Sequence, residues 1–377
     1  MLTIDRYILR MYFKILVICF LSLTGLFVVI DAFSNLDELL RIADRQGSLI
    51  GLLMEYYGAR SLTFFDRTNA LMTLVAATFV ATSLQRSNEL AALMAAGIPR
   101  ARVVAPMVGG AALVCLFSVA NRELLIPQFR DRLMRNAQDW EGEAEQKIDP
   151  RYDNLTDVLI NGSYTLAANQ SIGQPNFRRQ PNMGPFGSQL LAEVAYYHPA
   201  EDDRPAGYLL DDVRTPEDLP EIESFYLDDL PVVLSPRDTP WLEPDQCFVV
   251  SDISFNQLVA GSAWRQYSST PELIAGLHNP SLDFSADVRV AIHARILQPV
   301  LDMTLLLLGL PVILSRENRN VFVAAGMCVL IVAIFVVVGL ACHAAGYNYL
   351  ISPALAAWCP VLIFVPIARF SIASLWR

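Results

Sequence analysis

Residues 18–30 read ICFLSLTGLFVVI, a run without a single charge, and Arg6, Arg10 and Lys14 stand before it. A membrane's hydrocarbon core takes about 20 apolar residues in helical form, and with its flanks this stretch is long enough. A basic start ahead of an apolar run also describes a secretory leader. Here the run outlasts a leader's core, and no small-x-small cleavage site precedes Asp37 and Glu38, so the reading is an uncleaved first span. Six such spans follow along the chain: Lys14–Ile30, Leu62–Leu84, Val103–Ala120, Ile296–Leu314, Val321–Cys342 and Ile351–Ala368.

Charge is sorted between these spans and what separates them. Arg122–His293 carries 28 acidic and 13 basic side chains, whereas the two flanks together carry 10 acidic and 15 basic. A single soluble globule has no reason to segregate charge in this way. The expected architecture is an integral membrane α-helical protein with three spans on each side of an inserted, water-facing acidic domain. Residues 1–121 form the first half, 122–293 the insert and 294–377 the second half. Basic residues of the short connections set the orientation. The N-terminus, Gln85–Arg102, Ser315–Asn320 and the tail hold ten basic residues against Asp5, Glu89 and Glu317. Asp31–Ser61 has three arginines against five acids, and Ala344–Leu350 has no charge. Both termini are therefore expected in the cytoplasm and the insert outside it. The low pI of about 4.9 and the lack of a basic stripe argue against nucleic acid as a partner.

Inside the insert, Arg122–Lys147 reads as a polar helix continuing the third span. Asp157–Gln170, Gln189–Tyr197, Gly207–Val213, Phe225–Leu234 and Phe248–Phe255 have strand-like alternation, and Pro, Gly, Asp and Asn clusters separate them. Short strands punctuated in this way favour a sandwich or β-jellyroll, at about residues 150–260. Pro175–Gly187 reads as a mobile loop and Pro271–Leu277 as a short helix. Cys247 is the insert's one cysteine, so no internal disulfide closes it, and the four histidines are scattered. No metal or other cofactor is expected.

Catalytic patterns are missing as well. A phosphate-binding loop needs a lysine followed by Ser or Thr, but the chain's two lysines, Lys14 and Lys147, are each followed by Ile. There is no H-E-x-x-H helix and no G-x-S-x-G elbow. The acidic pairs Asp202–Asp203, Asp211–Asp212 and Asp228–Asp229 read as solvated turns. The chain is expected not to be an enzyme.

One connection stands out, RSNELAALMAAGIPR at Arg86–Arg100. Ser87 or Asn88 can cap a helix that carries Glu89 in its first turn. Gly97 can end it in the left-handed conformation, and Pro99 forbids its continuation. Leu90, Leu93 and Met94 fall at i, i+3 and i+4 and form a small apolar face. Such a helix either packs on lipid or on its own bundle, or docks in a soluble partner and transmits movement.

NELAALMAAGIPRARVVAPM, which starts at Asn88, closely resembles the cytoplasmic loop of the LptF/LptG (YjgP/YjgQ) lipopolysaccharide export permeases. The likeness continues through IDRYILRMYFK, NRELLIPQFRDR, LLAEVAYYHP…GYLLDDV and HARILQPVLDMTLLLLGLPVILSREN. It implies six helices with a periplasmic β-jellyroll between the third and fourth, in the bacterial inner membrane. It also implies two permease chains working with a cytoplasmic ABC ATPase dimer to extract lipopolysaccharide and pass it to a periplasmic bridge protein. On that pattern the coupling helix spans residues 87–97, Glu89 meets the ATPase, and Leu90, Leu93 and Met94 are its docking face. Members of the family carry lysines just outside the first span that meet lipid phosphates. This chain has Arg41 and Arg45 there, among Asp37, Glu38 and Asp44, with Arg60 further on. Arginine binds phosphate bidentately, which makes these three the candidate headgroup contacts. An ATP-driven permease for another amphiphile, such as a lipoprotein or a different glycolipid, is the alternative, and a non-transporting membrane protein of the same fold is a further one.

Charges also enter the spans. Asp66 and Arg67 lie in the second and Asp302 in the fourth, and counting seven residues from Arg60 and from Arg295 puts Arg67 and Asp302 at similar depth. An intramembrane charge needs a partner or a polar cavity, so Arg67 either faces Asp302 or snorkels to the interface while Asp66 neutralises it locally.

Overall fold

The computed structural model describes residues 3–135, 137–140, 144–201, 204–282, 286–314 and 321–373. Asp202–Asp203, the basic turn at 315–320 and Arg377 lie outside the described residues. The chain divides into two compact units, Met1–Phe129 with Ser285–Arg377, and Arg130–Phe284.

The first unit is helical. It contains α1 (Thr3–Ser34), α2 (Leu36–Gln46), α3 (Leu49–Arg86), α4 (Glu89–Ala95) and α5 (Arg100–Ala120). A π-helical turn at Asn121–Leu125 follows, then the single turn α6 (Ile126–Gln128). Five helical stretches among the described residues are long and apolar enough to cross a membrane: Thr3–Ser34, Arg100–Gln128, Ala286–Val312, Gly326–Tyr347 and Pro353–Ala373. The expected second span is not among these five, because Asp66, Arg67, Thr68 and Asn69 dilute it. The 38-residue α3 is instead a central helix, packed against α1 and α5, with Met72, Ala76, Ala77, Val80 and Leu84 fully enclosed. A span covered by protein can carry polar groups that find partners there.

The connection Asp31–Ser61 is helical rather than a loop. In α2, Leu39, Ile42 and Ala43 are buried at i, i+3 and i+4, and the charged residues occupy the opposite side, so its polar composition reflects one face of an amphipathic helix.

The remaining spanning helices of this unit are later in the chain, and three short helices of the other unit precede them. In Arg130–Phe284 these are α7 (Arg130–Met134), α8 (Phe255–Tyr267) and α9 (Thr270–Leu277). The helical unit then resumes with α10 (Ala286–Leu314), α11 (Val321–Tyr347) and α12 (Pro353–Ala373). Small residues let these three approach closely. A Cβ on Gly346 would lie 2.4 Å from the Ala356 Cβ and 2.9 Å from Val290 Cγ2. Gly346→Val is therefore expected to cost about 1–3 kcal/mol by overpacking, read as a lower melting temperature in detergent. An unchanged melt would contradict this contact.

The second unit is a curled antiparallel sheet, jellyroll-like in form. Its strands are β1 (Arg151–Asp153), β2 (Val158–Ile160), β3 (Tyr164–Leu166), β4 (Ser171–Gly173), β5 (Asn176–Arg179), β6 (Gln189–His198), β7 (Gly207–Thr215), β8 (Phe225–Leu227), β9 (Leu230–Leu234) and β10 (Cys247–Val250). They run in the order β1-β2-β5-β6-β7-β10-β9-β8, and the β3–β4 hairpin joins through β6. Its core gathers Val158, Ile160, Ile172, Phe177, Leu190, Tyr208, Leu210, Val233 and Val249 from the inward faces.

Three expectations for this region need correction. The helix expected over Arg122–Lys147 stops at Met134, and by Gln146 the chain is bridged to Thr165 as extended backbone. The buried Asp139 carboxylate accepts from Ala144 N at 2.8 Å and Gln146 Nε2 at 2.6 Å. Second, the expected loop Pro175–Gly187 contains β5, with Phe177, Met183 and Phe186 buried. The Arg179 guanidinium holds the segment down by donating to Thr156 O and Asn182 O. Third, α8 was not expected, although its N-terminus carries a capping box, Ser254 with Gln257. The pair Asp228–Asp229 is a turn, as expected. Both residues have positive φ, 46° and 68°, in the two-residue connection of the β8–β9 hairpin.

Cys247 is fully buried on β10, and burial pushes its thiol up to about 12. The thiolate is disfavoured in the fold but forms readily in the unfolded chain. The stability this residue contributes is thus intact below the ordinary thiol value and is lost as pH rises from there toward 12. At pH 8, maleimide is expected to label Cys247 only after denaturation. Rapid labelling of the native protein at this position would refute its burial.

Candidate functional site

The connection between α3 and α5 is built by local signals. α3 ends at Arg86, and Asn88 then turns with φ 58°, so it precedes α4 in the left-handed conformation. The expected Ser87 or Asn88 side-chain cap is not made by Asn88. The far end follows the pattern expected from Gly97. That residue has φ 81°, its N–H bonds to Met94 O and the N–H of Ile98 bonds to Leu93 O, both at 3.0 Å. This is a Schellman closure, and Pro99 then begins the turn into α5. Seven residues of helix are held by their ends.

Of the expected docking face, Leu90 is 5% exposed and belongs to the bundle's own core, and Leu93 and Met94 pack partly against that core. The apolar stripe therefore fastens α4 to the protein. The face turned outward is Ala91, Ala92, Ala95 and Ala96, whose small side chains let another backbone approach closely. Glu89 is half-buried beside it and shares a groove with Tyr7 of α1. An open groove of about 480 Å³ borders Glu89, lined also by Ile4, Tyr7, Leu84 and Leu93. Arg102 pairs with Asp5 at 3.0 Å, tying the start of α5 to the start of α1.

Of the two readings for Arg67, the pairing with Asp302 is not the one the structure holds. Arg67 is exposed on α3, and the Asp302 carboxylate accepts instead from Gln298 Nε2 at 2.7 Å on its own helix. The partner of the second span is Arg122. Its Nε donates to both oxygens of Asp66, at 2.9 and 3.1 Å, and its Nη2 lies 2.8 Å from Oδ1. Asn69 donates to Ser118 Oγ at 2.6 Å, and Ser118 lies 3.4 Å from the same Asp66. Asn121, completely buried, donates to Leu62 O at 2.9 Å, while its Oδ1 finds no partner. Arg122 and Asp66 are both close enough to Asp302 to act on it electrostatically. The π-turn at Asn121–Leu125 carries both Asn121 and Arg122 into this cluster, a device often found where a helix has a functional irregularity. Sequence reasoning missed Arg122 because it was assigned to the acidic insert. The available signal was its position two residues beyond the third span, at the end where Asp66 begins the second.

The headgroup candidates lie on two helices. Arg41 and Arg45 project from the exposed side of α2, while Arg60 lies on α3 with its guanidinium 3.5 Å from the Tyr56 ring centre. Arg60 also donates to Tyr56 O, so part of its bonding capacity is already used.

A helical membrane unit interrupted by a curled antiparallel sheet narrows the comparison, and the sequence settles it. Residues 6–166 and 188–377 match the family described as lipopolysaccharide export system permease LptF/LptG. The chain belongs to the LptF/LptG family. None of the curated proteins matches it significantly. LptF/LptG membership makes it a multi-pass inner-membrane transport subunit that works with partners in lipopolysaccharide export.

Proposed function

We propose that this LptF/LptG permease is one half of an ATP-driven exporter, in which a cytoplasmic ABC ATPase dimer docks on α4 and a second homologous permease chain completes the lipid path. In this reading both termini face the cytoplasm, and the curled sheet lies in the periplasm, where it hands lipopolysaccharide or a related lipid to a bridge protein. The observation that carries the reading is α4 itself. It is a short helix anchored inward by Leu90 and closed at Gly97, presenting a flat alanine face with Glu89 beside it. A rigid, shallow knob of this kind suits force transfer better than a flexible loop would. With no phosphate loop in its sequence, the chain obtains the energy of ATP through such a contact. Glu89, with Leu90, Leu93 and Met94 holding the helix in place, forms the coupling element. Arg41, Arg45 and Arg60 meet anionic headgroups, and Asp66, Arg122 and Asp302 brace the helices against each other.

Purification in mild detergent tests this directly. The chain is expected to bring down a nucleotide-binding subunit and a second permease chain, identified by mass spectrometry. Recovery of the chain alone under several mild detergents would count against it. A second test concerns the headgroups. Replacing Arg41 and Arg45 together by Glu is expected to lower lipid-stimulated ATP hydrolysis several-fold, since two phosphate contacts become repulsive, with basal hydrolysis less affected. Unchanged stimulation would assign those contacts to other groups.

A further inference from the structure

Arg100 sits in an unfavourable place for its own helix. It is the first residue of α5, where the positive end of the helix dipole disfavours a cation. Its guanidinium resolves this by reaching elsewhere. Nη1 donates to Leu314 O, the last described carbonyl of α10, at 3.2 Å, and Nε donates to Met94 Sδ on α4 at 3.3 Å. A guanidinium that donates to a carbonyl makes a charge-assisted bond, stronger than a neutral one. A single side chain thus contacts the last turn of α4 and Leu314 of α10, 214 residues further along the chain. Apolar packing resists compression but lets helices slide, whereas a charge-assisted bond to one carbonyl fixes axial position.

We infer that Arg100 is the positioning residue that makes α4 and α10 move together, so that displacement of the coupling helix is delivered to the second half of the permease. This rests on the proposed docking of an ATPase at α4. The two attachments of the guanidinium are unequal. The sulfur contact is weak and adjustable, as suits the thioether of Met94. The carbonyl bond is the stronger and carries the load along α10. Met94 therefore tells Arg100 where α4 is, and Arg100 sets the height of α10. Arg102, two residues along α5, ties to Asp5 at the start of α1, but that pair is half-exposed on the arginine side and holds less firmly.

The test uses the whole complex in proteoliposomes, with Arg100→Gln and Arg100→Lys compared with the unaltered chain. Three quantities are measured: ATPase subunit bound per permease, ATP hydrolysed, and lipopolysaccharide delivered to an acceptor per ATP. Arg100→Gln is expected to bind the ATPase normally and hydrolyse ATP, but to deliver roughly tenfold less lipid per ATP, the order expected when a charge-assisted bond is lost. Arg100→Lys keeps the charge and should recover most of the delivery. Normal delivery per ATP by Arg100→Gln would overturn the inference. So would equal loss of ATPase binding in both variants, because Arg100 would then serve docking or folding. If the unaltered chain binds no ATPase, the underlying reading of α4 fails first, and that is seen before any variant is compared.

Discussion

Ala92→Arg is expected to abolish recruitment of the ATPase while leaving the permease inserted and folded. Ala92 is exposed on α4 at the groove that also borders Glu89, so a long side chain there obstructs a docking partner without entering the core around Leu90. Placing a bulky cation in a close helix contact removes shape fit and buries a charge without a partner, a loss of about 2 kcal/mol or more in binding. That is at least a 30-fold weakening on the usual conversion of about 1.4 kcal/mol per tenfold. Glu89→Arg is expected to weaken docking less if the carboxylate sits at the rim of the contact. Leu93→Asp is a poorer test than the sequence suggested, since Leu93 packs against the bundle's own core and its loss mixes folding with docking. Pull-down of the ATPase against a folding control by size exclusion separates the two effects. Full recruitment by Ala92→Arg would place the docking surface elsewhere.

The second large effect lies in the membrane. Arg122→Gln leaves the Asp66 carboxylate without its cation, in a place where both side chains are only 16–17% exposed. Removing one member of a buried pair costs roughly 3 kcal/mol or more, a large part of a typical stability margin. Asp66→Asn alone is expected to do similar harm, because Arg122 would then be buried without a counter-charge. The double variant Asp66→Asn with Arg122→Gln carries no buried charge and can keep a hydrogen bond, so it should regain at least half of the lost melting temperature. Additive losses in the double variant would show that the two residues are not coupled.

Five of the six spans were readable because apolar length is a physical requirement of crossing lipid, and most of the strands because one side of each faces a core. What was not readable had charge where a structure-forming face was thin. Asp31–Ser61 looked like a loop since Leu39, Ile42 and Ala43 supply so narrow an apolar stripe. β5 was hidden among prolines, with Phe177 as its main buried anchor. At the candidate site, Gly97 and Pro99 marked the end of α4 correctly. Periodicity also found the face of Leu90, Leu93 and Met94. It could not say whether that face meets a partner or the chain's own bundle, because both are apolar. Depth counting could not choose between Asp302 and the interface for Arg67, because it compares residues along two helices without knowing their rotation. The π-turn that swings Arg122 toward Asp66 leaves no periodic trace in the sequence.

In the proposed function, lipid export by this permease is driven through α4. The most direct measurement reconstitutes the permease, its second chain and the ATPase in liposomes, and follows transfer of labelled lipopolysaccharide to a periplasmic acceptor with ATP. Transfer is predicted to require ATP and all three components, and to disappear with Ala92→Arg in α4. ATP-dependent transfer that persists at full rate with Ala92→Arg, or a complete complex that hydrolyses ATP without transferring lipid, would contradict the account.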